Sequence, residues 1–213
     1  MISLVDIQRA GPSGRARVLH FDDGTQRQTS AAVVRALGLE TGPVEDLGEL
    51  LAALDLAEPV HARKRALRLL EHRERSCHEL SKRIREDGYA REVADEVVVA
   101  LERMDLVDDI RFAETWARSR ILAGYGPHRV LREMTEKGVD SELSRRALAD
   151  ALAGDDELTC ARRLVTGTTL DNDRGRERAL RRLLRRGFSP EVALRAVEHE
   201  TAAQPARSPT EDA

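Results

Sequence analysis

The sequence predicts an all-α protein of three tandem three-helix repeats forming an elongated, curved stack, with a small N-terminal β-containing extension. The first observation behind this is internal repetition. Glu79–Tyr89, Leu131–Val139 and Leu180–Phe188 are each a short amphipathic run closed by glycine and an apolar or aromatic residue. The closing glycines stand at 88, 138 and 187, intervals of 50 and 49 residues, and a period of this size marks stacked supersecondary units. The second observation is composition. Of 213 residues 41% are hydrophobic but only 3% aromatic, and 34% are charged, so the core must be built from Leu, Val and Ala, as helical proteins build theirs. The third is that helix start and stop signals recur in register with the repeat.

Taken in order, residues 1–29 read as β. Ile2, Leu4 and Ile7 mark one strand, Arg15–Phe21 a second, and the Asp23-Gly24 turn leads into a third at Thr25–Thr29. Residues 30–38 and 44–56 read as helices parted by Thr41-Gly42-Pro43, and Glu58-Pro59 opens the wholly helical region. Residues 1–60 are thus an extension, too small to be robust alone and packed on or hinged to the first repeat.

Repeat 1, residues 61–104, uses helices at 62–72, 77–87 and 90–103; Ser76-Cys77-His78-Glu79 is a capping box for the second. Repeat 2, residues 105–153, uses 108–123, 127–137 and 141–152, with Asp108 or Asp109 capping the first and Pro127 opening the second. Repeat 3, residues 154–200, uses 155–166, 173–186 and 189–200, the last begun by Ser189-Pro190-Glu191. The polar stretch 201–213 reads as a disordered tail.

Helical spacing assigns the core. Leu80 and Ile84 face Val93, Val97 and Leu101; Leu131 and Met134 face Leu143, Ala147 and Leu148, joined by Phe112 and Trp116. In the third repeat Leu180, Leu183, Leu184 and Phe188 face Val192, Leu194 and Val197. Trp116 stands four residues after Phe112 and reads as core rather than as a platform for a nucleic-acid base.

Candidate chemistry is sparse. Cys77 and Cys160 are far apart with no paired spacing, and His72 with Cys77-His78 makes no credible metal cluster. There is no phosphate-binding glycine loop, no H-E-x-x-H and no nucleophile elbow. Asp108-Asp109 is the one tempting acid pair, but neighbouring helical side chains diverge by about 100° and capping explains them. No catalytic, cofactor or metal residue is assigned and no cofactor is expected. Without a targeting signal or a membrane-length apolar run, the chain is expected to be cytoplasmic, with no membrane partner.

These motifs together resemble the RecX family, regulators of the bacterial recombinase RecA. The matching blocks are Ala66–Leu70, Arg75-Ser76 and Glu79-Leu80 ending at Gly88-Tyr89; Leu106–Asp109 with Phe112-Ala113; Gly126, Leu131, Glu133, Lys137 and Gly138; and Leu180, Leu183 and Arg185–Phe188. They span about residues 62–198. Met134 stands where the family has leucine, and the first sixty residues match the strand-rich extension of longer members only loosely. The resemblance implies a non-enzymatic, monomeric regulator of recombination and DNA repair, including the SOS response. It would bind RecA and its DNA filament and restrain ATP hydrolysis, strand exchange and filament growth.

Charge supplies candidate contacts. Residues 1–60 carry 5 basic and 9 acidic side chains, whereas 61–200 carry 29 and 27, and lysine occurs only at 64, 82 and 137. The densest basic run is Arg174, Arg176, Arg178, Arg181, Arg182, Arg185 and Arg186 against Asp173 and Glu177. Arg174, Arg178, Arg181 and Arg185 share one helix face, with Arg182 and Arg186 beside it. A solvated face is the plainer reading, but a contact surface explains why acids are so few, since the arginine fork suits phosphate and carboxylate. Arg63-Lys64-Arg65 with Arg68 is a second basic patch. Contact with RecA, or directly with single- or double-stranded DNA, is expected at Arg174, Arg178, Arg181, Arg182, Arg185, Arg186, Arg63, Lys64 and Arg68. The alternative is an autonomous helix-turn-helix DNA-binding protein or transcription regulator. Glu92, Asp95 and Glu96 after Gly88, and Glu191 and Glu198 after Gly187, make poor groove readers.

Overall fold

In the computed structural model, residues 2–203 are described. The chain divides into two compact units, one running to Asp109 and the other from Ile110.

The first unit begins with strands β1 (Ile2–Ala10), β2 (Ala16–Phe21) and β3 (Gln26–Ser30), then helix α1 (Ala31–Ala36) and strand β4 (Gly42–Val44). All pairings are antiparallel and the order is β3-β2-β1-β4, with a bulge between Leu4 and Asp6. The Asp23-Gly24 turn joins β2 to β3 as expected, the Asp23 carboxylate accepting from the Thr25 N–H at 2.8 Å. Helices α2 (Leu47–Leu70), α3 (Cys77–Glu86) and α4 (Arg91–Glu102) complete the unit. Leu4, Leu19 and Phe21 of the sheet share one core with Leu54 and Leu69 of α2, Leu80 and Ile84 of α3 and Leu101 of α4. The extension is therefore fused to the first three-helix module.

Two expectations fail here. The helices expected at 44–56 and 62–72 are one continuous helix, α2, passing straight through the expected boundary at Glu58-Pro59. Proline removes one backbone hydrogen bond. Burial of Leu54 and Glu58 before it, and Ala62, Ala66 and Leu69 after it, holds both flanks on one core. The β structure also does not end before residue 30, because Gly42–Val44 pairs with Ile2–Leu4 as β4.

The second unit holds α5 (Asp109–Leu122), α6 (Pro127–Glu136), α7 (Ser141–Leu152), α8 (Glu157–Val165), α9 (Asp173–Arg186) and α10 (Pro190–Ala203). They form two three-helix modules with their own cores. Phe112, Val130, Met134 and Leu148 centre one, and Val165, Leu170, Leu183, Phe188 and Val197 the other. Leu184 and Leu194, expected in the third core, are exposed instead. Each stands one position beyond a buried residue, Leu183 and Ala193, and so points about 100° away from it. The tail expected from Thr201 starts inside α10, and residues 204–213 lie outside the described residues.

The expected caps form. Ser76 accepts from the Glu79 N–H at 3.1 Å, and Pro127 occupies the first turn of α6. Of the pair Asp108-Asp109, Asp109 is the first residue of α5, and its carboxylate accepts from the Cys77 N–H at 2.8 Å at the start of α3. Gly88, Gly138 and Gly187 all take positive φ, at 105°, 71° and 89°. They close equivalent helices, as the repeat requires.

Candidate functional site

The arginine face is built by α9. Asn172 caps the helix by accepting from the Gly175 N–H at 2.8 Å, and Gly175, Ala179 and Leu183 bury one side of it. With that side fixed on the core, helical geometry turns Arg174, Arg178, Arg181 and Arg185 outward, with Arg182 next to them; all five are exposed. Arg178, Arg181, Arg182 and Arg185 line an open depression of about 600 Å³ whose one apolar wall is Leu184. Glu177 pairs with Arg181 across one turn, and Arg176 lies 3.9 Å from Asp173. The wall is therefore cationic, with one of its arginines, Arg181, paired to a carboxylate outside it, and its planar forks suit phosphate or carboxylate oxygens.

Arg186 leaves this set. Its Nη1 donates to the carbonyls of Ala123 and Gly124 at 2.7 and 2.9 Å, and its guanidinium lies 5.5 Å from the Tyr125 ring centre. It sits on the border of the buried side of α9, so it packs onto the loop between α5 and α6 instead of facing solvent. The Gly126 N–H donates to the Arg186 carbonyl at 2.8 Å. A Cβ on Gly126 would collide with the backbone of Gly187, so two main chains touch here. Tyr125 is also covered by Arg129, at 4.3 Å, and approached by Arg120 at 5.4 Å. Glu133 accepts from Nε of both arginines at 2.8 Å. Burial pushes the Glu133 carboxyl up, but the Arg129 hydrogen bond and the charges of Arg120 and Arg129 outweigh it and hold it below its ordinary value.

The sequence reading overlooked this junction. The one cue was Gly124-Tyr125-Gly126, an aromatic residue between two glycines that permit close backbone approach. Arg129, whose Nη1 donates to the Arg185 carbonyl at 3.3 Å, links the same junction to the arginine face.

Trp116 is half-buried as part of the second module's core. Phe112 stacks on it at 5.8 Å, and Arg120 and Lys137 each lie 4.1 Å over its ring. Side chains of its own module occupy the ring, in keeping with the core assignment.

In the first unit Arg63, Lys64 and Arg68 are exposed on α2. Arg65, between them in sequence, is turned inward, its Nε 2.5 Å from the buried Asp87 carboxylate. Neither cysteine is an activated thiol. Burial, with Asp109 next in weight, pushes Cys77 up to about 12, and burial likewise raises Cys160. Among the described residues no cluster of three or more metal-type ligands occurs, and no helix is long and apolar enough to cross a membrane.

The comparisons with known proteins agree with this architecture. Residues 62–101 match the first three-helix domain of RecX, and residues 108–148 match the second. The chain is 40% identical over 148 residues to a Regulatory protein RecX of Mycobacterium sp. (strain JLS), covering 65% of this chain and 80% of that protein. It is 38% identical over 141 residues to the Regulatory protein RecX of Stenotrophomonas maltophilia (strain R551-3), covering 64% and 85%. A crystal structure of a regulatory protein RecX superposes with a TM-score of 0.54 at 20% identity, covering 95% of this chain and all of that one. At that identity the likeness speaks for the fold alone. On the sequence matches, the chain belongs to the RecX family of regulatory proteins.

Proposed function

We propose that this protein is a non-enzymatic regulator that binds RecA and the RecA–DNA filament and restrains ATP hydrolysis, strand exchange and filament growth. Family membership supports the regulatory role. The observation that carries the contact assignment is the depression on α9, where four exposed arginines converge around Leu184. Arg174, Arg178, Arg181, Arg182 and Arg185 present their forks to DNA phosphates or acidic protein surface, and Arg63, Lys64 and Arg68 form a second contact face. Burial raises the thiols of Cys77 and Cys160, which disfavours either as a nucleophile.

The test is the variant Arg178→Ala/Arg181→Ala/Arg185→Ala, titrated onto RecA filaments at several salt concentrations. These side chains are exposed, and such changes shift stability by less than about 0.5 kcal/mol each, so helicity should be retained. Filament binding should weaken. If phosphates are the target, the salt slope should also flatten by about one unit per lost contact. Binding equal to the parent would reduce the arginine face to a solvated surface.

A further inference from the structure

Helix α2 is apolar on two sides. Its buried side is Leu54, Glu58, Ala62, Ala66 and Leu69. On nearly the opposite side stand Leu56, Val60 and Leu67, exposed at 80%, 52% and 36%. At about 100° per residue the three lie within about 40° of arc, and they extend along about 16 Å of helix. Arg63, Lys64 and Arg68 flank the same stripe, exposed and without an ion pair among the described residues. From Leu56 to Leu70 the helix carries one carboxylate, Glu58, which faces inward; Glu71 follows at its end. Aligned large apolar side chains between unpaired cations are not what solubility alone would select.

Charge and apolarity together choose the ligand. Phosphate would satisfy the three cations but would leave Leu56, Val60 and Leu67 wet, or desolvate them against a polar backbone. A protein segment with an apolar ridge edged by Asp or Glu satisfies both. The α9 depression has the reverse balance, four arginines to one leucine.

We propose that the outward face of α2 is a docking surface for an acidic amphipathic helix of the protein partner, the ridge seated on Leu56, Val60 and Leu67 and its carboxylates on Arg63, Lys64 and Arg68. This rests on the reading of the chain as a RecA-filament regulator. It divides the two basic patches by ligand, with α2 meeting protein and not DNA.

The experiment uses the full chain and two variants, Leu56→Gln/Val60→Gln/Leu67→Gln and Arg63→Ala/Lys64→Ala/Arg68→Ala, with glutamine and alanine chosen to favour helix. Circular dichroism checks the fold. Affinity is measured for RecA alone, for RecA on single-stranded DNA and for the naked oligonucleotide. The glutamine variant should lose at least about tenfold in affinity for RecA, with and without DNA, while oligonucleotide binding stays at the parent value. The alanine variant should lose affinity for RecA and show a flatter salt dependence. Parent-like binding of RecA by the glutamine variant would overturn the proposal. So would an equal loss on the naked oligonucleotide, which would make this a DNA face, or a dimeric parent that the glutamine variant turns into a monomer, which would make the occupant a second copy. Failure of the parent itself to bind RecA would overturn the functional reading, and is distinguishable because it is seen before any variant is compared.

Discussion

At Gly88 and Gly187 the absent side chain is a packing requirement as well as a conformational one. A Cβ on Gly88 would strike the Thr29 carbonyl and lie 2.8 Å from Ala16 Cα, so the sheet rests directly on this corner. A Cβ on Gly187 would strike Arg129 Cβ and lie 2.7 Å from its backbone nitrogen. Gly154→Ala, at φ 86° with open space where a Cβ would stand, should cost about 1 to 2 kcal/mol for the left-handed backbone alone. Gly88→Ala and Gly187→Ala should cost more, about 2 to 5 kcal/mol, because overpacking adds to that strain. Urea unfolding of the three variants checks the order, and equal losses would refute the packing argument. Glu58 is the other residue whose burial has a consequence. It is fully buried, and among the described residues neither carboxylate oxygen has a hydrogen bond and the one cation near it is Arg27 at 3.4 Å. Arg27→Met should therefore cost about 3 kcal/mol by leaving that buried carboxyl without its partner, and adding Glu58→Leu should recover most of it. A double variant no better than the single would mean that the Arg27 pairing with Asp55, at 2.6 Å, is what matters.

Among the elements, caps decide what could be read in advance. A cap is local, so Ser76, Pro127 and Ser189 announced their helices from a few neighbouring residues, and the modules followed; the Asn172 cap of α9 is one the sequence reading did not name. β4 was not legible because three residues containing a proline become a strand only by pairing with Ile2–Leu4, some forty positions away. The continuity of α2 was not legible because Pro59 is a local stop signal, overruled by burial on both sides. Capping also sets the acid response. Hydrogen bonds from the Leu143 and Glu142 N–H groups hold the Asp140 carboxyl below 3.8, and those from the Thr159 side chain and backbone do the same for Asp156. A carboxyl whose folded value is depressed contributes stability that is complete above its unfolded value and is lost as pH falls through the folded one. Stability should thus hold down to about pH 4 and decline below it. In Asp140→Asn/Asp156→Asn, which keeps both caps, that decline should be shallower, as acid titrations followed by circular dichroism can show.

For the molecule as a whole, the candidate site was legible where it depends on one helix and not where it depends on two. The outward placement of Arg178, Arg181 and Arg185 follows from spacing on α9 alone. The diversion of Arg186 to the carbonyls of Ala123 and Gly124 depends on a loop some sixty residues earlier, and the inward turn of Arg65 depends on Asp87. The chain belongs to the RecX family of regulatory proteins, and the proposal above places partner contact on the arginine face of α9. The most direct test is RecA-dependent ATP hydrolysis on single-stranded DNA, measured with increasing amounts of this protein and of the Arg178→Ala/Arg181→Ala/Arg185→Ala variant. The parent should lower the rate and hydrolyse no ATP by itself, and the variant should lose most of that effect. An undiminished rate at a molar excess of the parent over RecA would contradict the proposed function.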